Sequence, residues 1–137
     1  MSYAWAADLQ AGVYQALADD VELSALVAGA IFDAPPLNDL PPVFIMLGPE
    51  EAQDRSDASG AGAEHRFTVS VVGEGPGFLA AKIVAARVSE VLQGTPPALT
   101  AALLPAHLTG LWFERAMAKV DGARRRIDLR YRARVGV

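Results

Sequence analysis

The chain of 137 residues contains no cysteine, so disulfide staples, thiolate zinc sites and cysteine nucleophiles are all excluded. That absence fits folding in a reducing compartment. Histidine is nearly absent too. His65 and His107 stand far apart, neither at helical metal-ligand spacing to a carboxylate. Charged residues make up only 20% against 52% hydrophobic, and the formal balance is −4. An acidic chain does not bind nucleic acid through its overall charge. The N-terminus lacks a basic segment and Asp8 interrupts its apolar stretch, which predicts no signal peptide. Between Glu90 and Arg115 the only charge is Glu114, but Gln93, Gly94, Pro96, Pro97 and Pro105 break the run. No membrane span is expected from it.

What is present fits one ordinary domain, residues 1–137, able to bury its own core. Trp5, Leu9, Val13 and Leu17 recur every four residues, predicting a first helix with Ser2 as its N-cap. Asp19 and Glu22 have capping-box spacing before a short second helix carrying Leu23, Leu26 and Val27 and closed near Gly29. Ile31 to Asp33 reads as a short edge strand, followed by a proline-rich turn and then a strand over Val43 to Leu47. The acidic and glycine-rich stretch from Glu50 to Glu64 reads as a long mobile loop or a frayed hairpin tip. Within it Asp54, Arg55, Ser56, Asp57, Gly60 and Gly62 are candidates for a segment that orders on assembly, because small polar residues bury little apolar surface. Arg66 to Val72 alternates as a strand. Phe78 to Gln93 reads as a helix burying Ala80, Val84, Val88, Val91 and Leu92, with Pro76 in its first turn. Asp121-Gly122 marks a C-terminal β-hairpin between Leu108–Val120 and Arg124–Val135. The expected fold is α+β, an antiparallel-rich sheet with helices packed on one face.

The motifs carry little chemistry. Gly73, Gly75 and Gly77 sit where a phosphate loop would, but the spacing is wrong and no lysine-serine pair follows, so a turn is expected. Glu50, Glu51, Asp54 and Asp57 lack the EF-hand pattern. No carboxylate pair, nucleophile elbow or triad order stands out, and neither catalysis nor a cofactor is expected. The second hairpin arm alternates Ile127, Leu129, Tyr131, Ala133 and Val135 with Arg126, Asp128, Arg130, Arg132 and Arg134. One face is core and the other basic. Across the hairpin, a bulged register sets Glu114 opposite Arg130, and a simple turn sets Arg115 opposite Asp128. Either register leaves arginines over. Arg126, Arg130, Arg132 and Arg134 are therefore candidates for pairing with acids on another subunit or with DNA phosphates.

Three stretches together resemble a known family. They are Val43–Glu51 with Asp54–Asp57, Gly60–Val72, and Leu108–Phe113 with Arg125–Val135. The chain is similar to the tail terminator (tail-completion) proteins of long-tailed phages, above all to the copy in alphaproteobacterial gene transfer agents. The resemblance implies a virion structural protein, a six-membered ring at the head-proximal end of the tail tube. Such a ring would stop tube polymerisation, meet the neck or stopper protein, and let DNA pass through without reading its sequence. The rival expectation is a small oligomeric binding module for an acidic protein partner.

Overall fold

The computed structural model describes residues 3–58 and 60–137. The Ser2 cap and Ser59 lie outside the described residues. In chain order the elements are α1 (Ala6–Asp19), α2 (Val21–Val27), β1 (Ile31–Phe32), β2 (Val43–Asp54), β3 (Gly62–Glu74), α3 (Leu79–Leu92), α4 (Pro97–Leu103), β4 (His107–Asp121) and β5 (Arg124–Gly136). The five strands form one sheet in the order β1-β2-β3-β5-β4, antiparallel except for the short β1–β2 pair. The fold is α+β with an antiparallel-rich sheet, as the alternation and helix periods predict. No described helix is long and apolar enough to cross a membrane.

One face of the sheet carries the core. Val69 and Val71 of β3 and Ile127, Leu129, Tyr131, Ala133 and Val135 of β5 pack there under Leu9, Val13, Leu17, Leu23, Val84, Val88, Leu92 and Leu99 of the helices. Period two along the strands and period near 3.6 along the helices bring these residues to one layer. The buried positions of α3 include Ala81 and Ala85, while Ala80 is exposed, one place off the expected stripe. Pro76 lies in the bend before the Phe78 N-cap, not in the first turn. The helix α4 was not foreseen: Pro96-Pro97 looks like a stop, yet a proline at the first position of a helix costs no hydrogen bond. The two helices α1 and α4 approach closely at Gly12, where a Cβ would stand 2.7 Å from Leu99 Cδ1.

The second helix is capped by Asp20, not by Asp19. Asp20 Oδ2 accepts from Leu23 N at 2.9 Å, and Arg87 of α3 donates to both its oxygens at 2.8 and 2.6 Å. The Arg87 hydrogen bonds hold the Asp20 carboxyl below its ordinary value despite some burial, and Arg87 is correspondingly raised. A carboxyl depressed in the folded state adds stability above its unfolded pKa, and that stability is lost as pH falls through the folded value. Asp20→Ala is therefore expected to cost about 1 kcal/mol at neutral pH through the cap alone. It should also flatten the loss of stability in acid below about pH 4. Urea titrations at pH 7 and pH 3 measure both effects. An unchanged acid slope in the variant would remove the ion pair from the account.

The segment from Glu50 to Glu64 is mostly strand. A bulge between Leu47 and Glu50, at Gly48-Pro49, shifts the register and lets β2 continue to Asp54 opposite Ala63. A proline is tolerated at such a bulge because a ladder hydrogen bond is already missing there. The shift also re-aims the side chains. Glu50 turns to the helix side, where its Oε2 meets Nδ1 of the fully buried His65 at 2.8 Å and its Oε1 accepts from Tyr3 at 3.0 Å. His65 Nε2 has no hydrogen-bond partner, so the pair does not extend to a nucleophile among the described residues. Among the described residues of this stretch, 55–58, 60 and 61 lie outside the strands, and this tip is internally bonded. Ser56 Oγ donates to Asp54 Oδ1 at 2.7 Å and accepts from Gly62 N at 3.2 Å, while Arg55 N donates to Gly62 O at 2.8 Å.

Candidate functional site

The sheet face away from the helices is where the candidate residues meet. The hairpin turn is Gly122-Ala123, with Gly122 at φ 61° and Asp121 paired to Arg124. A left-handed first central residue suits a two-residue hairpin turn and favours glycine. The turn therefore sits one residue later than the Asp121-Gly122 reading. That sets Met117 opposite Asp128 and Arg115 opposite Arg130, with Glu114 in a bulge between Phe113 and Arg115. The bulged register considered from sequence holds from Gly110 to Phe113, whereas the simple turn that sets Arg115 opposite Asp128 does not form.

The bulge gives Glu114 three arginines. Arg66 Nε of β3 donates to its Oε1 at 3.1 Å, Arg130 Nε lies 3.7 Å from the same oxygen, and Arg132 Nε lies 4.0 Å from Oε2. Glu64 of β3, only 7% exposed, collects another set. Arg66 Nη1 stands 3.1 Å away, Arg55 Nη2 3.6 Å and Arg132 Nη1 3.9 Å. Its Oε1 has no hydrogen bond of good geometry, so charge more than direction holds it. The Arg132 guanidinium also lies over the Trp112 ring, 4.7 Å from its centroid. Trp112 in turn covers Gly110, where a Cβ would collide with the indole.

Asp128 is the third hub. Ser70 Oγ donates to it at 2.6 Å, Arg126 Nε at 2.7 Å, and Lys119 Nζ lies 3.2 Å away. Burial alone would raise the Asp128 carboxyl, but the hydrogen bonds from Ser70, Arg126 and Lys119 outweigh it and hold it below its ordinary value. Arg126 also reaches Asp121 at 3.7 Å, and Arg130 reaches Glu51 of β2 at 3.6 Å.

The expected surplus of free arginines is thus corrected. Arg126, Arg130 and Arg132 are paired within the chain. Arg134 has no carboxylate partner among the described residues; its Nη2 donates instead to the carbonyl of Arg55 at 3.3 Å. That contact joins the two sets of candidates, since Arg55, Ser56, Asp57 and Gly60 form the hairpin tip beside Arg134, with Asp54 and Gly62 at its strand ends. Sequence reasoning placed Glu114 against Arg130, as found, but missed Glu51, Glu64, Arg66 and Trp112 as members of the lattice. Their signal lay in cross-strand register, which two bulges hide. Among the described residues no three His, Asp or Glu side chains converge as a metal site.

A small α+β domain whose distinctive feature is a charged sheet face defines a protein that works through its surfaces, a structural component. The chain belongs to the family of tail completion protein gp17, whose model matches residues 11–136. It is also similar to a chain of a solved structure described as the virion of a native gene transfer agent particle. The two are 47% identical with a TM-score of 0.88, over 99% of this chain and 100% of that one. No curated protein matches the chain. The resemblance read from the sequence therefore holds.

Proposed function

We propose that this chain is the tail terminator of a phage-like gene transfer agent. Copies form a ring, six-membered on the family likeness, that covers the head-proximal end of the tail tube, ends its growth and joins it to the neck or stopper protein. It assembles in the bacterial cytoplasm and resides in the virion tail. The observation that carries this reading is the end-to-end match, at 47% identity, to a chain of a gene transfer agent virion.

The charged face suits the lumen of such a ring. DNA must pass without being held, and phosphate affinity grows with the number of cations free to displace counterions. A lattice in which Arg126, Arg130 and Arg132 already face Asp128, Glu114 and Glu64 offers a mixed, low-affinity surface. The same pairing weakens the rival module for an acidic partner, which needs the arginines free. The tip around Arg55 and Asp57 would settle further against the tube or a neighbouring copy.

Purified tail-tube subunits polymerising with this protein present should give tubes that stop growing and carry extra density at one end. Trypsin should cut free protein first at Arg55 and spare that bond in the capped tubes. Tubes that lengthen as fast with the protein as without it would contradict the capping role.

A further inference from the structure

The strand β4 is the outer edge of the sheet, and its distal half runs past the helices. On its helix-facing side Phe113 is 54% and Val120 61% exposed, and Ala116 and Ala118 are exposed as well. Across a gap from them α3 presents Lys82, with Ile127 and Leu129 of β5 as the floor of an apolar groove. A second groove lies at the opposite edge of the sheet. It runs between α1, through Ala11 and Tyr14, and the β1–β2 edge, through Asp33 and Leu47.

The two edges are complementary in charge. Lys82, which lines the α3–β4 groove, has no carboxylate within ion-pair distance among the described residues. Asp8 of α1 and Asp33 have no cation within that distance. An unpaired cation, Lys82, therefore lines one apolar groove and an unpaired anion, Asp33, lines the other. Patches of opposite sign on opposite edges cannot cover themselves by two-fold symmetry. They match head to tail, the contact type that closes into rings.

We propose that the α3–β4 groove of one copy receives the α1–β1–β2 edge of the next, with Lys82 facing Asp33. The proposal rests on the ring reading and specifies which surfaces build it. Burying Phe113, Val120 and Tyr14 supplies the apolar drive, and the charges set direction and register.

Because the chain has no cysteine, Ala11→Cys and Ala118→Cys at exposed positions place one thiol on each edge. Particles carrying the double variant, treated with a short bismaleimide, should yield a ladder of covalent multimers beyond the dimer on denaturing gels. Each single variant should stay monomeric. Normal particles with the usual amount of this protein and no ladder would overturn the docking geometry and leave the ring standing. Dimers from a single variant would overturn it as well, since one edge would then be meeting itself. Particles that lack the protein at the tail end would overturn the ring reading and this proposal with it. A charge swap supplies an independent test. Lys82→Glu or Asp33→Lys should each cut capped particles at least tenfold, on the order of one lost interface contact. Both changes in one chain should restore them, and failure of that rescue in a folded chain would count against the pairing.

Discussion

Replacing Arg132 with glutamate is expected to destabilise the isolated chain by about 2 kcal/mol, whereas Arg134→Glu should leave it within about 0.5 kcal/mol. The two arginines look alike in the alternating pattern of β5, and the structure separates them. Arg132 lies between Glu64 and Glu114 and over Trp112, so the reversal places a third carboxylate beside two others, one of them buried. Removing one partner of a fully buried pair costs more, roughly 3–5 kcal/mol. The Arg132 side chain is 35% exposed, and Arg66 still serves both acids, so the estimate is reduced for solvent screening. Arg134 offers only a bond to the Arg55 carbonyl. In thermal melts followed by circular dichroism, Arg132→Glu should lower the midpoint by roughly 6–10 °C for a domain of this size. Melts that coincide with the unchanged protein would mean the lattice is not structural and that the face is as free for partners as the alternation alone suggests.

How far the sequence could be read depended on whether the controlling interactions were local. The alternation of β5 and the four-residue stripe of α1 are periodic signals that burial must obey, and both elements form, although α1 begins at Ala6 after a Trp5 N-cap and not after Ser2. Departures of one residue came from chemistry finer than the pattern. Asp20, not Asp19, has the extended backbone that lets its carboxylate reach Leu23 N, and Gly122, not Asp121, begins the turn. Larger departures had non-local causes. The Gly48-Pro49 bulge breaks the period at the point where Glu50, Glu51 and Asp54 make the chain look like a loop. Those acids are tolerable in a strand because His65 and Arg130 receive Glu50 and Glu51 from across the sheet. Only the Arg126–Asp128 pair lies within β5, two residues apart on one face; the carboxylates that meet Arg130 and Arg132 sit on β2, β3 and β4, and no spacing within β5 could announce them.

Loss of this protein should leave tail-tube subunits able to polymerise and particles unable to finish their tails. Each ring added to a tube presents again the surface that the next ring binds, so growth ends only when a different surface covers the end. In the proposed role this chain supplies that cover, with one side facing the tube and a dissimilar side opposite. Its absence should separate two events that normally coincide, the end of tube growth and attachment to the head. The most direct measurement is electron microscopy of particles made without the gene, scoring tail length and attachment. Overlong or unattached tails beside DNA-filled heads are the predicted result. Tails of normal length joined to filled heads would contradict the account.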